Sequence, residues 1–401
     1  MPSYHEINPA RRIPLHGGVG HARGIADLRM LARRKLPNFL YEYLEGGADC
    51  ELTLRRNMAS FDAWLWLPRM AVDMGDVGLR TQLFGRDLAF PVLIAPTGFN
   101  GMLWRDGDLA LARAAASAGL GMVQSTVSMN SIEDVASVDG LRHWFQLYPY
   151  GGPEVTARLL ERALAAGSEA LVVTIDGAVP GNRVWDQRSY RAPGRLTLRS
   201  KLDALRHPHW LAQVLLRSGP PNFVNLAEFL DEPNPSVFAV GRWIAANRPR
   251  LSWTDVEVLR MRWPRKLIVK GILREDEALR ARDSGADAII LSNHGGRQAE
   301  PAIASLEALP GIRARLGPEF PILLDSGIRG GGHIAVAVAL GANAVLTGRA
   351  TLYGLAAGGQ AGVTKALEIL RTEFARTLAL SGIRDVSDLG RDCLTLARNP
   401  G

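Results

Sequence analysis

The feature that most constrains this chain is a regular alternation of short apolar runs with helical patterns. Eight runs are rich in branched apolar residues and end in a polar residue or a glycine; they span 90–97, 120–125, 143–148, 170–176, 266–270, 288–292, 321–325 and 344–348. Apolar runs without polar alternation are typical of parallel strands covered on both faces. The sequence therefore predicts eight buried parallel strands.

Helical patterns fill the gaps between these strands, for example at 108–118, 154–166, 274–284 and 332–340. Glycines mark the ends of several helices, and Asn130 and Ser131 ahead of two acidic residues mark a start. Eight strand–helix units in order predict a (β/α)8 TIM barrel. An open doubly wound sheet would alternate in the same way, but no strand here leads into the GxGxxG fingerprint of that fold.

The 401 residues suit one such barrel with additions, because barrels of this kind run from about 200 to over 400 residues. We expect a flexible basic arm at 1–24, the barrel domain at 25–382 and a C-terminal tail at 383–401. A helical pattern at 25–46 would cap one end of the barrel. An apolar stripe at 363–380 predicts a closing core helix.

A long insertion is expected after the fourth strand. About 90 residues separate Asp176 from Lys266, far more than a strand-to-helix loop requires. We place the insertion at 185–252, and its middle, 199–219, mixes apolar with basic residues. Two interpretations stay open: a lid that packs on the barrel, or a surface segment that binds an anionic membrane.

Composition narrows the class of protein and of partner. Two cysteines are too few for a disulfide framework, which favours a reducing compartment and therefore a cytoplasmic location. The start of the chain lacks the apolar run of a secretory signal, and no stretch reaches the roughly 20 apolar residues of a membrane span. The net charge of +7 favours an anionic partner, but no nucleic-acid motif accompanies it, so we expect no nucleic-acid partner.

Almost every predicted strand ends in a side chain that can form hydrogen bonds. These residues are Thr97, Ser125, Gln146 with Tyr148, Thr174 with Asp176, Lys270, Ser292 with His294, Asp325 and Arg349. The carboxyl ends of barrel strands carry the working residues, so this rim predicts a site for a polar ligand. Glycine-rich segments at 326–332 and 348–349 follow the last two strands, each with an arginine, and this combination suits a phosphate group.

The segment SNHGGRQ at 292–298 carries the clearest catalytic pattern. His294 lies three residues before Arg297, so an imidazole base and a carboxylate anchor could act on one substrate. No second histidine or carboxylate lies nearby at ligand spacing, and we predict no metal site. Lys270 ends an apolar strand, where it could be a Schiff-base nucleophile or a fixed positive charge beside an anionic cofactor.

Eight motifs occur in order along the chain: LPNFLYEYLEGGAD, PTGFNGMLWRDGDLALARAA, WFQLY, TID, LIVKG, SNHGGRQ, LLDSGIRGG and GRATLYGLA. They span residues 36–382 and resemble the FMN-dependent α-hydroxy-acid dehydrogenases and oxidases. The PTG-x-NG-x-LW form and the basic insertion are most similar to the membrane-associated (S)-mandelate dehydrogenase branch. Where the family continues the histidine motif with Gln-Leu-Asp, this chain has Ala299 and Glu300 after Gln298.

The resemblance implies an FMN barrel that oxidises an (S)-2-hydroxy acid, such as mandelate, to the 2-keto acid. His294 would be the base, with Asp176 orienting it, and Lys270 would be the fixed charge at the flavin N1/O2 edge. The substrate contacts implied are Tyr43, Tyr148, Arg183 and Arg297, and Tyr148 is also implied as a catalytic residue. The cofactor contacts implied are Thr97, Gly98, Ser125, Gln146 and Thr174 at the ring system, Asp325 at the ribityl chain, and Gly327, Arg329, Gly348 and Arg349 at the phosphate.

The same resemblance implies partners and alternatives. Electrons would pass to a quinone-type acceptor, the protein would form a homo-oligomer, specifically a tetramer, and it would sit peripherally on the inner face of the cell membrane. The alternative within the family is an L-lactate dehydrogenase or a 2-hydroxy-acid oxidase that uses oxygen. A non-redox FMN barrel, such as isopentenyl diphosphate isomerase of the second type, would require a diphosphate pocket in place of two arginines.

Overall fold

Eight parallel strands close into a barrel in the computed structural model of this chain. Residues 18–192, 195–216, 219, 221–232, 235–248 and 250–397 are described; most of the arm predicted at 1–24 lies outside them. The barrel strands are β1 (Val92–Ile94), β2 (Gly121–Ser125), β3 (Arg142–Leu147), β4 (Ala170–Thr174), β5 (Lys266–Ile272), β6 (Ala288–Leu291), β7 (Ile322–Leu324) and β8 (Ala344–Thr347). β4 pairs with β5 and β8 with β1, which closes the ring. The predicted (β/α)8 fold is confirmed.

Helices surround the strands, as the helical patterns between the apolar runs predict. In chain order they are α1 (Ile25–Lys35), α2 (Asn38–Glu45), α3 (Leu52–Asp62), α4 (Asn100–Leu103), α5 (Gly107–Ser117), α6 (Ile132–Ala136), α7 (Pro153–Ala165), α8 (Val184–Gln187), α9 (Leu198–Leu205), α10 (Pro208–Trp210, continued by a π-helix at Leu211–Leu216), α11 (Val224–Ala227), α12 (Val237–Ala246), α13 (Trp253–Arg262), α14 (Glu275–Asp283), α15 (Ser305–Leu316), α16 (Gly331–Ala339) and α17 (Arg349–Leu380). Ser131 caps α6 by accepting a hydrogen bond from the Asp134 amide at 3.0 Å, as its position predicts.

The barrel interior is a packed core and not a pore. Side chains that point inward from the strands, among them Trp144, Ile290 and Leu346, are fully buried against one another. A hairpin of strands Thr81–Leu83 and Arg86–Leu88 adds Leu83 and Leu88 to this core. Because β-strand side chains alternate between the two faces, the other half of each strand packs against the helices. Both faces are therefore apolar, as the uninterrupted runs predict.

The chain before the barrel and the chain after it meet on the outside. The helical pattern predicted at 25–46 divides into α1 and α2, because Pro37 cannot continue a helix. The closing helix predicted at 363–380 is the second part of α17, which is interrupted by non-helical backbone at Gly358 and Gly359. Beyond α17, strand Leu394–Leu396 pairs antiparallel with Trp64–Trp66.

The insertion between β4 and β5 contains α8, a hairpin of Tyr190–Ala192 and Arg195–Leu196, and helices α9 to α12. Buried polar contacts attach it to the barrel. Trp210 donates to the Met102 carbonyl at 2.8 Å, and Asn225 accepts from the Ile132 amide at 3.0 Å. The insertion therefore lies over the loops that follow β1 and β2. Among the described residues, no helix is both long and apolar enough to cross a membrane.

Candidate active site

A cavity of about 740 Å³ lies at the carboxyl ends of the strands, between the barrel and the insertion. Most of the residues that the sequence predicted for the site line it: Tyr43, Thr97, Gly98, Ser125, Tyr148, Thr174, Arg183, Lys270, His294, Arg297, Asp325, Gly327, Arg329, Gly348 and Arg349. Gln146 and Asp176 are not part of the lining, but each contacts a residue that is. Ser125 donates to Gln146 at 2.8 Å, and Asp176 contacts His294. The fold thus brings side chains from eight separate strand ends to one cavity.

His294 stands between a carboxylate and a phenol. Its Nδ1 lies 3.1 Å and 3.3 Å from the two carboxylate oxygens of Asp176, and its Nε2 lies 3.2 Å from the Tyr148 hydroxyl. A carboxylate at Nδ1 fixes the ring orientation and leaves Nε2 facing the cavity. The imidazole is therefore held in the position that a general base needs.

The loop after β6 turns sharply to place this ring. His294, Gly295 and Gly296 have φ values of 60°, 68° and 74°, a left-handed run that glycine tolerates far better than other residues. A Cβ on Gly296 would lie 2.5 Å from the Leu54 amide nitrogen. The two glycines of SNHGGRQ thus let the loop pass against the start of α3 while His294 faces the cavity.

Electrostatics around the histidine keep Asp176 charged and the Tyr148 phenol protonated. Burial alone would raise the pKa of Asp176, but the His294 ring, its hydrogen bond and the Lys270 cation hold that pKa below its usual value. Asp176 is therefore an anion ready to stabilise an imidazolium. Burial and the Asp176 charge raise the pKa of Tyr148 well above its usual value, so Tyr148 remains a hydrogen-bond donor.

Two arginines face the same space. Burial, with the neighbouring charges of Arg183 and Arg349, lowers the pKa of Arg297 to about 9. The Arg297 guanidinium lies 5.1 Å from the centre of the Tyr43 ring, and its Nη1 donates to the Tyr43 and Gly46 carbonyls at 2.8 Å and 2.7 Å. A bound anion would relieve the repulsion between these cations. This part of the cavity is suited to a carboxylate.

Lys270 is fixed by an ion pair. Its Nζ lies 3.0 Å from Asp325 Oδ2 and donates to Ser292 Oγ at 2.6 Å, and the side chain is almost fully buried. An ammonium held on a carboxylate offers no free electron pair to a substrate carbonyl. Of the two roles that the sequence left open, the geometry favours the fixed positive charge.

The glycine-rich end of the cavity contains Arg329 and Arg349. The guanidinium of Arg349 donates to the carbonyls of Leu44, Gly295 and Gly46 at 3.0, 2.9 and 2.9 Å. Arg349 thus joins the end of α2 to the histidine loop as well as lining the cavity. Arg329 donates to the Ile328 carbonyl at 2.9 Å.

Sequence reasoning missed a residue that holds the loops together. Gln298 accepts from the Gly181 amide at 2.9 Å and donates to the Val179 carbonyl at 3.1 Å and to the Asp176 carbonyl. It therefore ties the loop that carries Asp176 and Arg183 to the loop that carries His294 and Arg297. Its place in SNHGGRQ was the only signal that could have pointed to it.

The outer wall of the cavity was missed as well, because the insertion has no recognisable motif. The residues of the insertion that line it include Tyr190, Leu196, Trp210, Leu215, Phe223, Val237, Phe238, Gly241 and Ile244. On the barrel side, the Phe99 ring contacts the rings of Tyr43 and Phe223, each with centroids 5.1 Å apart. An apolar wall therefore begins beside the arginine pair and continues under the insertion.

Comparison with known proteins identifies the family. The family model for FMN-dependent dehydrogenases matches residues 32–396. The chain belongs to the FMN-dependent dehydrogenase family. It is 41% identical to an L-lactate dehydrogenase of Stenotrophomonas maltophilia (strain R551-3) over 92% of this chain and 97% of that protein. An L-lactate dehydrogenase of Pseudomonas aeruginosa (strain LESB58) is also 41% identical over the same shares.

Solved structures agree with this assignment. The monotopic membrane protein (S)-mandelate dehydrogenase superposes with a TM-score of 0.89 at 40% identity, over 94% of this chain and 100% of that one. A mandelate oxidase superposes with a TM-score of 0.79 at 34% identity, over 94% and 99%. The resemblance inferred from the motifs is confirmed, and the protein is an FMN-dependent oxidoreductase.

The residues at the base of the cavity fit FMN. Gln146 Nε2 and Thr174 Oγ1 are buried and have no hydrogen-bond partner among the residues that the structure describes. Buried polar groups are normally paired, so these two atoms indicate a polar ligand. The ion-paired Lys270 beside them suits a ring whose N1/O2 edge gains negative charge, and Gly327, Arg329, Gly348 and Arg349 at the other end suit a phosphate.

Proposed function

We propose that this enzyme oxidises an (S)-2-hydroxy acid with an aromatic side chain, such as mandelate, to the 2-keto acid. The observation that carries the proposal is the convergence of the His294–Asp176 pair, the Tyr148 hydroxyl and two arginines on one cavity. A carboxylate anchor and a base next to each other are what oxidation at the carbon beside a carboxylate requires.

Each residue then has a defined task. Arg183 and Arg297 bind the substrate carboxylate, and this places the C2 hydroxyl at His294 Nε2 and the Tyr148 oxygen. FMN, when bound, would supply the acceptor for the two electrons and for the second hydrogen that the substrate loses. His294 Nε2 takes a proton from the substrate, and the Asp176 carboxylate stabilises the resulting imidazolium. Lys270 provides positive charge to the cofactor side of the cavity, where negative charge develops.

The apolar wall supports an aromatic substrate. Once the carboxylate meets the arginines and the hydroxyl meets His294, the side chain at C2 has only the apolar part of the cavity left. Phe99 and Phe223 begin that part, beside Tyr43. The ring of an aromatic substrate would pack favourably against the aromatic rings of Phe99 and Phe223. A methyl group, as in lactate, would leave most of this surface without a partner.

Anaerobic reduction of the bound flavin tests the proposal. The protein purified with FMN is mixed with (S)-mandelate, (R)-mandelate or L-lactate, and the fall of the flavin absorbance is recorded. We expect (S)-mandelate to bleach the flavin faster than L-lactate, and (R)-mandelate to leave it oxidised. Absence of bleaching by every 2-hydroxy acid would refute the proposal.

L-Lactate is the second candidate substrate, and the identity of 41% to two L-lactate dehydrogenases supports it. Faster bleaching by L-lactate than by mandelate would favour it.

We propose a quinone-type acceptor for the electrons. Reoxidation of the reduced enzyme by a water-soluble quinone and by dissolved oxygen separates a dehydrogenase from an oxidase.

We further propose that the protein binds the surface of an anionic membrane through α9. This helix exposes Leu198, Leu202 and Leu205 at 71%, 52% and 65%, and Arg199 and Lys201 lie among them. Exposed leucines with basic neighbours suit the interface of an anionic bilayer. By contrast Trp210 and Val214, later in the same predicted segment, are buried. The exposed leucines of α9 support the membrane interpretation of the insertion, and the buried Trp210 and Val214 support the lid interpretation.

Sedimentation with vesicles tests this surface. Vesicles of phosphatidylglycerol should carry down the wild-type protein more than vesicles of phosphatidylcholine. Replacing the three leucines by serine should abolish the difference in sedimentation. Leu380→Ser, which changes a leucine with 71% exposure at the end of α17, is the matched control and should bind as the wild type does. Equal binding of the triple variant would contradict the assignment to α9.

A further inference from the structure

The apolar part of the cavity extends beyond the space that a phenyl ring beside Phe99 would need. Helix α12 lines it with the apolar residues Val237, Phe238, Gly241, Ile244 and Ala245, and with Arg242 at the edge of the same face; residues three, four or seven positions apart share a helix face. The opposite face of α12 carries Ala239 and Val240, which are buried. The helix is therefore packed against the protein on one side, and its other side lines the cavity where the cavity meets solvent, since Phe238 is 50% exposed.

Gly241 lies in the middle of that open face. A Cβ built on Gly241 would meet no atom within 4 Å, so the space in front of this cavity-lining residue is open. Glycine inside a helix is destabilising relative to alanine, and here neither a turn nor a close backbone approach requires it. The absence of a side chain at this position keeps the cavity open.

We infer that Gly241 determines substrate size, and that the enzyme accepts 2-hydroxy acids whose apolar side chain is longer than the phenyl group of mandelate and extends under α12. This inference rests on the proposed function, because it assumes that the carboxylate is bound by Arg183 and Arg297. The cavity is continuous from those arginines to Gly241, and the rings of Tyr43, Phe99 and Phe223 form its wall on the way. Arylalkyl and medium-chain alkyl 2-hydroxy acids have the matching chemistry.

The test fills the space and compares substrates. Rates of anaerobic flavin reduction are measured for L-lactate, (S)-mandelate, (S)-3-phenyllactate and (S)-2-hydroxyoctanoate with wild type, Gly241→Ala and Gly241→Phe. We expect Gly241→Phe to lower kcat/KM for the two long substrates by at least about tenfold and to leave L-lactate within about twofold. Gly241→Ala should melt no lower than wild type, since alanine favours the helix, and should show a smaller loss in the same order.

Ala246→Phe is the matched control, because Ala246 lies on the same helix, is exposed and does not line the cavity. It should leave all four substrates unchanged. If Gly241→Phe slowed all substrates equally, or none, the inference would be wrong. If it slowed only reoxidation by a quinone, the space would hold the electron acceptor and the inference would again be wrong. If wild type were reduced by none of the four acids, the proposed function itself would fail, and the inference with it.

Discussion

Replacing Asp176 by asparagine isolates the charge that faces His294. Asparagine keeps the size of the side chain and one carbonyl oxygen near Nδ1, and removes the negative charge. In the wild type both carboxylate oxygens lie within 3.3 Å of Nδ1, and the two side chains are 23% and 15% exposed. The pair is therefore shielded enough from water for its charge to matter.

The size of the effect follows from the contact that is lost. A hydrogen bond to a charged group contributes about 1.5–3 kcal/mol of stabilisation. A change of about 1.4 kcal/mol in the activation free energy corresponds to a tenfold change in rate. If the whole of that contact stabilises the imidazolium in the transition state, Asp176→Asn should slow flavin reduction by roughly 10- to 150-fold. FMN content should not change, because Asp176 does not line the cavity.

Stopped-flow reduction of the flavin at saturating substrate measures this rate directly, separate from reoxidation. Asp287→Asn is the matched control: Asp287 pairs with Arg260 and Lys266, just before β6, at the end of the barrel away from the cavity. It should reduce its flavin at the wild-type rate. Full-rate reduction in Asp176→Asn, with normal FMN content, would show that the carboxylate is not part of the catalytic machinery.

Three further predictions follow from the site and the core. His294→Ala should keep its FMN and lose at least about a hundredfold in the rate of flavin reduction, measured as above, because a positioned base typically contributes that much; reduction at the wild-type rate would move the base elsewhere. Arg183→Ala and Arg297→Ala should both raise KM for the substrate, but only Arg297→Ala should also lower the melting temperature, because it removes the Arg297 donor from the Tyr43 carbonyl at about 1–3 kcal/mol, while the Gly46 carbonyl keeps its hydrogen bond from Arg349; equal melting of the two variants would contradict this. Burial lowers the pKa of His143 to about 4. As the pH falls from about 6.5 to 4, His143 is therefore protonated in the unfolded chain but stays neutral in the folded protein. The free energy of unfolding should drop by up to about 3 kcal/mol over that window. Urea unfolding at pH 7 and pH 4.5 should show this fall in the free energy of unfolding for wild type and a smaller fall for His143→Gln. An equal fall in the two proteins would place the acid sensitivity in other groups.

The fold was predictable because its strands are buried on both faces. A strand such as Ala170–Thr174 has no exposed side, so it reads as an unbroken apolar run. Each run was found to within about three residues of its bounds in the structure. The helix inside 25–46 was predicted as one, and Pro37 divides it into two.

The lining of the cavity was predictable in part, for a related reason. In a parallel barrel every strand ends at the same face, so a polar residue at the end of a run must lie near the others. Lys270 and Asp325 are 55 positions apart in the sequence and form an ion pair at 3.0 Å. Their pairing needs only the closure of the barrel. Gln298 followed no such rule, since its amide bridges two loops whose relative position no local pattern encodes.

The sequence by itself determined the barrel, the end of the barrel that carries the site, and the histidine, lysine and arginines there, because each depends on local hydrophobic pattern or on a motif. The tertiary structure decided what surrounds them. Only the packing of the insertion places Phe223 and Gly241 on the cavity, because they lie between the barrel strands that end at Thr174 and begin at Lys266 and belong to neither. The role in substrate size that we infer for Gly241 depends on the open space in front of it, and no local sequence pattern encodes that space.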